Sequence, residues 1–224
     1  MKKVILASQS NNRKSICEEA GLDPIVIVSE SDELDAEDGN LNKTRGICCE
    51  NAKLKGFSVL KKIENQSQEQ NEAFHGIQWI ISADTLVLLE GKATICKPDT
   101  IEKAHEMFKS MIGQQIFVIT GVCMIPTDFS RSIGKSFQSN ESLVFAATTQ
   151  LFFNEKYLSD ENERTQIFLK ADPRNKAGGF LTSEVQTSEN QEMIMNDDGG
   201  ANDFAKIFYD KDFINITNLR TIHK

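Results

Sequence analysis

The chain has 224 residues, of which 39% are hydrophobic and 26% charged, a composition typical of a globular protein with a buried core rather than of a disordered or fibrous chain. Its formal net charge of -8 at pH 7 argues against binding to polymeric nucleic acid, because affinity for a phosphate backbone requires clustered Lys and Arg. Any anionic ligand must therefore be held by a local group of basic side chains.

Cysteine usage and hydropathy indicate the compartment. The chain has five cysteines, an odd number without a CxxC pair, which favours neither a disulfide framework nor a zinc ribbon. The apolar run near the N-terminus covers only residues 4–7, which is shorter than the core of a secretory signal. No run approaches the ~18 apolar residues of a membrane span. We expect a cytoplasmic protein with no membrane partner.

The first elements are predicted to be a strand, a helix and a second strand. Residues 4–7 are continuously apolar, as in a strand that is covered on both faces. A helix follows at once, capped by Ser10 or Asn11 and ended by Gly21. The second strand is predicted over 24–28.

A longer helix and the most apolar strand come next. Apolar residues recur at spacings of three and four between 43 and 63 and predict a helix, with Lys53 beside the apolar stripe. Residues 79–89 (WIISADTLVLL) predict a buried strand. The stretch 99–102 resembles a capping box that begins another helix, which runs to Met111.

Two further apolar strands are predicted over 116–125 and 142–153. The later stretch 171–180 (ADPRNKAGGF) has the Pro and Gly residues of a loop that passes close to a ligand or to another part of the backbone. The alternation of strands and helices predicts an α/β fold with a central mixed, twisted β-sheet flanked by helices.

One acidic residue lies where a charge is costly. Asp84 stands inside IISADTLVLL with apolar residues on both sides, so it is either a functional carboxylate or a strand-end Asp that is bonded to a neighbouring loop. Lys97, in CKPD, follows a hairpin turn that could return it toward Asp84. Open α/β sheets form crevices at strand ends and helix starts. The other polar candidates in such positions are Ser8, Arg13, Glu33 and Lys53.

The stretch ASQSNNR after the first strand is a candidate anion site. A helix N-terminus presents unpaired N–H groups to a phosphate, and Ser8, Ser10 and Arg13 would add side-chain donors. The alternative is a capped helix with a solvated first turn, since the stretch matches neither GxxxxGK[ST] nor GxGxxG.

Several motifs together resemble the Maf family of nucleoside triphosphate pyrophosphatases, which is related to the inosine triphosphate pyrophosphatases. The resemblance runs from Val4 to about Leu219 and implies one domain over 1–224, for which one expected arrangement is two lobes around an active-site cleft. The motifs that carry it, in chain order, are LASQSNNRKSI, SDE, ENAKLK, SADTLV, CKPDTIEKAHEMF, GQQIFVITGV and KAGGF.

The resemblance also implies roles for individual residues. Asp84 would accept a proton from the attacking water, and Glu33 would help Asp84 hold a divalent cation, Mg²⁺ or Mn²⁺. Lys53 and Lys97 would complete the catalytic set. The remaining predicted substrate contacts are Ser8, Ser10, Asn12, Arg13, Thr85, Lys176 and Ser183. A homodimer is common among soluble proteins and in this family, so we predict one.

Base specificity is the least defined part of the prediction. The threonine that follows Asp84, Thr85, resembles the residue found in the branch of the family that takes dTTP and UTP. The branch acting on 7-methyl-GTP looks more like SDQ at this position. Two positions depart from the pyrimidine pattern, because Asn12 replaces an arginine and Ser183 replaces a glutamine. The alternatives are a nucleotide-binding homologue with impaired turnover, a pyrophosphatase of different base specificity, and an α/β scaffold whose acidic surface binds a partner.

Overall fold

The computed structural model describes residues 1–36, 39–66, 72–95, 97–127 and 142–153, and the short stretches 155, 160–162, 165–166, 173–174, 176–179 and 194–195. The strands are β1 (Lys2–Ala7), β2 (Leu22–Val26), β3 (Trp79–Leu89), β4 (Ala93–Ile95), β5 (Gln115–Pro126), β6 (Leu143–Phe153) and β7 (Ile194–Met195). The helices are α1 (Asn11–Glu19), α2 (Leu41–Glu64) and α3 (Ile101–Met111), with short 3-10 turns at Glu72–Phe74 and Ala177–Gly179.

Within the described residues, the strands form one seven-stranded mixed sheet in the order β2-β1-β3-β5-β6-β7, with β4 pairing to β3. β1 runs parallel to β2 and β3, whereas β3, β5 and β6 are antiparallel neighbours. This sheet with its flanking helices confirms the predicted α/β class. Among the described residues, no helix combines the length and the apolar character that crossing a bilayer requires.

One edge of β3 is shared by two short partners. β1 pairs with Ile80–Ser82 and β4 with Val87–Leu89. Residues 83–86 lie between these two paired stretches, where β1 has ended and the chain turns into α1. The fold therefore brings the ASQSNNR turn next to Asp84 and its neighbours.

The helices cover both faces of the sheet, because successive strand residues point to opposite faces. α2 packs on the face that carries Ile5, Ile80 and Ile125. α1 and α3 lie on the other face, with α1 against the Val4 and Ile81 side. α3 packs near β6, where the rings of Phe108 and Phe153 meet edge to face at 4.8 Å between centroids. Both faces of β1 and β3 are therefore buried, as their continuous apolar runs predict.

Two glycines allow α2 to lie close to the sheet. A Cβ on Gly121 would stand 2.6 Å from the Cys48 carbonyl oxygen, and a Cβ on Gly56 would stand 2.7 Å from Ser82 Oγ. Gly121 is paired with Asp84 in the β3–β5 register. The close approach therefore brings the middle of α2 onto the strand position that carries the buried acid.

The second strand is the main difference from the prediction. β2 covers Leu22–Val26 rather than 24–28, because its register with β1 runs from Lys2↔Leu22 to Leu6↔Val26. Pro24 does not break it, since β2 is the outer strand on this side of the described sheet and proline is tolerated at edges. Apolar content alone places the centre of this strand too late, because pairing with β1 sets its ends.

Candidate active site

Asp84 is buried, with 2% of its surface exposed, and both carboxylate oxygens are bonded to α2. Lys55 Nζ lies 2.6 Å from Oδ1, and Asn51 Nδ2 donates a hydrogen bond of 2.9 Å to Oδ2. Lys55 and Asn51 are four residues apart and so lie on one face of the helix. The buried acid is therefore a functional candidate with defined partners rather than a strand-end Asp that is bonded to a loop.

A row of alternating charges leads from Asp84 toward solvent. Lys55 Nζ also lies 2.9 Å from Glu33 Oε1, so one ammonium group joins the two carboxylates. Lys97 Nζ stands 4.0 Å from the other oxygen of Glu33. The Glu33 and Lys97 side chains are 41% and 48% exposed, whereas Lys55 is 11% exposed. The outer half of the row is open to an anionic ligand.

Arg13 lies along the β3 edge on either side of Asp84. Its Nη1 donates to the Ala83 carbonyl oxygen at 2.8 Å and to Ser8 Oγ at 3.3 Å. Its Nη2 donates to Thr85 Oγ1 at 2.8 Å, and Thr85 is also bonded to Thr120 at 3.0 Å between their hydroxyl oxygens. The guanidinium group is thus held in place by backbone and hydroxyl acceptors close to the buried carboxylate.

The turn before α1 folds as its sequence predicts. Ser10 is the N-cap, and its hydroxyl accepts the Arg13 N–H at 3.4 Å. The Ser10 N–H in turn donates to Ser8 Oγ at 3.2 Å. Asn12 is exposed in the first turn of the helix. Capping thus explains how two serines and one arginine come to lie at the end of β1.

Charge neighbours determine the ionisation of the site. Burial opposes the charged form of Asp84, but the charge and hydrogen bond of Lys55, the hydrogen bond of Asn51 and the charge of Arg13 together lower its pKa. Burial also lowers the pKa of Arg13, against the attraction of Asp84. The neighbouring thiol of Cys48 has its pKa raised to about 12 by burial. At neutral pH the site therefore holds an ionised carboxylate and a protonated thiol.

The structure does not bring Lys53 into this group of residues, and Lys55 contacts Glu33 and Asp84 instead. Lys53 Nζ pairs with Glu50 at 3.1 Å, and both side chains are well exposed. Two residues correspond to about 200° around a helix, so Lys53 and Lys55 point to opposite sides of α2. A signal for Lys55 was present, since it falls three residues after Ala52 on the buried stripe.

Asn51 is a site residue that sequence reasoning missed. It is fully buried on α2 and contacts Asp84. Two signals were present: Asn51 is part of the ENAKLK motif, and it is a polar side chain three residues after Cys48, on the buried side of the helix. Lys97 does return toward the site, but it approaches Glu33 rather than Asp84.

The remaining predicted contacts lie in the C-terminal part. Lys176 directly precedes the 3-10 turn Ala177–Gly179, which packs against α3 and β3. Its contact with substrate stays a prediction. Ser183 lies outside the described residues, so the base-reading position assigned to it also stays a prediction.

The donor set is consistent with a hard divalent cation. Among the described residues, no group of three or more His, Cys, Asp or Glu side chains is arranged to hold an ion. Glu33 and Asp84 do come together, through their shared contact with Lys55. Mg²⁺ commonly binds through one or two carboxylates plus substrate phosphates rather than in an all-protein cage. The two carboxylates fit that mode of binding, in which phosphate oxygens supply further ligands.

Comparison with known proteins finds one family and relatives with related names. A family model described as "Maf-like protein" matches residues 3–195. A nucleoside triphosphate pyrophosphatase of Prochlorococcus marinus is 30% identical over 177 residues, which cover 79% of this chain and 78% of that protein. A dTTP/UTP pyrophosphatase of Caldicellulosiruptor bescii is 31% identical over 180 residues, with coverage of 80% and 78%. A protein of the same name from Bacteroides thetaiotaomicron is 30% identical over 186 residues, with coverage of 81% and 79%.

Proposed function

The chain belongs to the Maf family, and from this premise we propose that it is a nucleoside triphosphate pyrophosphatase. Water adds to the α-phosphorus, the bond from that phosphorus to the oxygen bridging it to the β-phosphorus breaks, and the products are a nucleoside monophosphate and pyrophosphate. One observation carries the proposal: a buried, ionised Asp84 is linked through Lys55 to the exposed carboxylate of Glu33.

The residue roles follow from where charge develops. In-line attack at phosphorus places negative charge on the non-bridging oxygens and on the departing pyrophosphate, so fixed cations lower the barrier. Arg13 and Lys97 supply such cations, and Lys55 takes the role first assigned to Lys53. Asp84 accepts the proton of the attacking water, and its lowered pKa keeps it in the required ionised form.

A divalent cation is part of the proposal. Glu33 and Asp84 would hold Mg²⁺ or Mn²⁺ together with phosphate oxygens of the substrate. When bound, the cation would supply charge neutralisation on the triphosphate. The cation, the cleft between lobes, the homodimer and the cytoplasmic location all stay predictions.

For the base we propose a dTTP- or UTP-like nucleotide, including modified forms. Thr85 and the names of two of the three relatives described above support this choice. Asn12 and Ser183 depart from the pyrimidine pattern, which keeps 7-methyl-GTP as an alternative substrate. The Thr85 hydroxyl accepts a hydrogen bond from Arg13. Thr85 would therefore affect substrate choice partly by positioning the Arg13 guanidinium group.

The experiment is a hydrolysis panel. Purified protein with Mg²⁺ is incubated with dTTP, UTP, CTP, 5-methyl-UTP and 7-methyl-GTP, and both monophosphate and pyrophosphate are quantified. Asp84→Asn should lower the rate by roughly 10²–10⁴-fold, and EDTA should abolish it. Asp99→Asn is the matched control, because the Asp99 side chain is 66% exposed and its ion pair is with Lys103 rather than with a residue of the site. Folded wild-type protein that hydrolyses none of these nucleotides would contradict the proposal.

A nucleotide-binding homologue without turnover is the second candidate. One observation favours it: Lys55 already bridges Glu33 and Asp84, so a divalent cation must compete with an ammonium group for the same carboxylates. Calorimetry separates the two candidates, because saturable binding with no product after long incubation would identify a sensor. Absence of any nucleotide binding would instead favour the scaffold with an acidic surface.

A further inference from the structure

The side chain of Asn51 joins two parts of the site that are far apart in the sequence. Its Oδ1 accepts the Leu34 N–H at 2.7 Å, and its Nδ2 donates to the Leu34 carbonyl oxygen at 3.0 Å. The same Nδ2 donates to Asp84 Oδ2 at 2.9 Å. Both amide hydrogens and one oxygen lone pair are therefore used in bonds to the protein. Asn51 is fully buried, so these bonds are shielded from solvent.

The segment that Asn51 holds is the one that carries Glu33. Leu34 follows Glu33 directly, and both its backbone N–H and its carbonyl oxygen are bonded to the Asn51 amide. Other contacts attach the same loop: Ser58 Oγ accepts the Glu30 N–H at 3.2 Å, and the Thr94 hydroxyl donates to the Ala36 carbonyl oxygen. Of these attachments, the Asn51 amide is the one that also bonds to Asp84.

We propose that Asn51 is a positioning residue that fixes the Glu33 loop against Asp84, so that both carboxylates act on the same triphosphate. This inference rests on the proposed function. Lys55 also joins the two carboxylates, but a bound phosphate competes for its ammonium group, and a bound cation competes with that ammonium group for the carboxylates. The Asn51 amide is neutral and inaccessible, so it keeps the two carboxylates in register when Lys55 changes partners. A misplacement of about 1 Å can cost roughly 100-fold in rate.

Two substitutions separate the functions of the amide. Asn51→Leu removes all three hydrogen bonds and keeps the number and branching of the side-chain heavy atoms. Asn51→Asp keeps an acceptor for the Leu34 N–H, loses both donors, and places a second carboxyl group against Asp84, so that like-charge repulsion also acts there. Ser58→Ala is the matched control, because it removes a different attachment of the same loop, from the same helix, without touching Asp84.

The first measurement is kcat and KM for the preferred nucleotide, per mole of folded protein. Both Asn51 variants should lose about 100-fold in kcat with KM changed by less than about threefold, whereas Ser58→Ala should stay within about threefold of wild type in both. A merely structural role would lower the unfolding midpoint and leave kcat of the folded fraction unchanged. A kcat within about threefold of wild type in either folded Asn51 variant would therefore overturn the inference.

The second measurement needs no nucleotide. Amide hydrogen exchange over residues 31–36 should become faster by about tenfold or more in Asn51→Leu, with the largest change at Leu34. Asn51→Asp should retain part of the protection at Leu34, because its acceptor remains. If Asn51→Leu does not fold, Asn51→Asp carries both measurements. Unchanged exchange at Leu34 in folded Asn51→Leu would overturn the tether.

The possible outcomes separate this inference from the proposed function on which it rests. An active wild type with unimpaired Asn51 variants overturns the positioning role and leaves the pyrophosphatase intact. A wild type that hydrolyses no nucleotide overturns the proposed function and the catalytic consequence drawn from it. In that case, faster exchange in Asn51→Leu still supports the tether as a feature of the fold.

Discussion

The two lysines of α2 provide a matched pair of perturbations. Lys55→Met removes the ammonium group that lies 2.6 Å from Asp84 and 2.9 Å from Glu33. Lys53→Met makes the same chemical change two residues earlier, where the ammonium group pairs with Glu50 at 3.1 Å. Methionine keeps most of each side chain's apolar length and is a good helix former, so the comparison isolates the charge.

The expected magnitudes differ because the burial differs. Asp84 is 2% exposed and the Lys55 side chain 11% exposed, and removing one partner of such a buried pair typically costs 3–5 kcal/mol. Asp84 keeps its Asn51 hydrogen bond and the nearby charge of Arg13, so we expect the lower end, about 3 kcal/mol. The Lys53 and Glu50 side chains are 38% and 48% exposed, which limits their contribution to about 0.3–0.5 kcal/mol.

Urea unfolding at pH 7 measures both variants on one scale. The free energy of unfolding should fall by about 3 kcal/mol in Lys55→Met, with an unchanged m-value, and by less than about 1 kcal/mol in Lys53→Met. Lys55→Met should also lose nucleotide hydrolysis, because it removes a cation from the site. Equal losses of stability in the two variants, or a larger loss in Lys53→Met, would refute the assignment of Lys55 to the site.

Three further predictions concern packing and pH. Gly121→Ala should destabilise the fold by roughly 2 kcal/mol or more in the same urea assay, because its Cβ would stand 2.6 Å from the Cys48 carbonyl oxygen; an unchanged midpoint would contradict the close approach of α2. Gly46 lies on α2, and a Cβ added there would have no atom within 4 Å. Gly46→Ala should therefore raise the free energy of unfolding by about 0.5–1 kcal/mol; a loss of stability would contradict the open space at this position. The lowered pKa of Asp84 contributes stability that is present above its unfolded pKa, about 3.9, and lost as the pH falls through the folded-state pKa. The free energy of unfolding of Asp84→Asn, measured by urea titration, should therefore depend less on pH below about 4 than that of the wild type. Parallel curves of this free energy against pH would refute the lowered pKa of Asp84.

Local sequence features predicted most elements of the described fold. The apolar run of β3 gave its bounds to the residue, and the helix predicted over 43–63 lies within one or two residues of Leu41–Glu64. Ser10 caps α1, and Thr100, inside the predicted capping box, caps α3. These features depend on neighbours three or four residues away, which is the range over which helical period and capping operate.

Asp84 could also be singled out without a structure, because an acidic residue inside a long apolar strand must find a partner when it is buried. Its partners could not be identified that way. Lys55 lies 29 positions from it in the sequence, and Arg13 bonds to Thr85 across 72 positions. Which side chain meets another at such separations is decided by the pairing of strands and the close packing of a helix on them.

The sequence by itself therefore determined the α/β pattern, the main strands and the acid around which the candidate site is built. Only the tertiary structure decided that Lys55 rather than Lys53 joins it, that Lys97 approaches Glu33, and that Asn51 ties the Glu33 loop to Asp84. The physical reason is that secondary structure depends mainly on residues that are close in the sequence. The face it presents, and the partner it meets there, depend on how α2 is rotated and seated against β3 and β5.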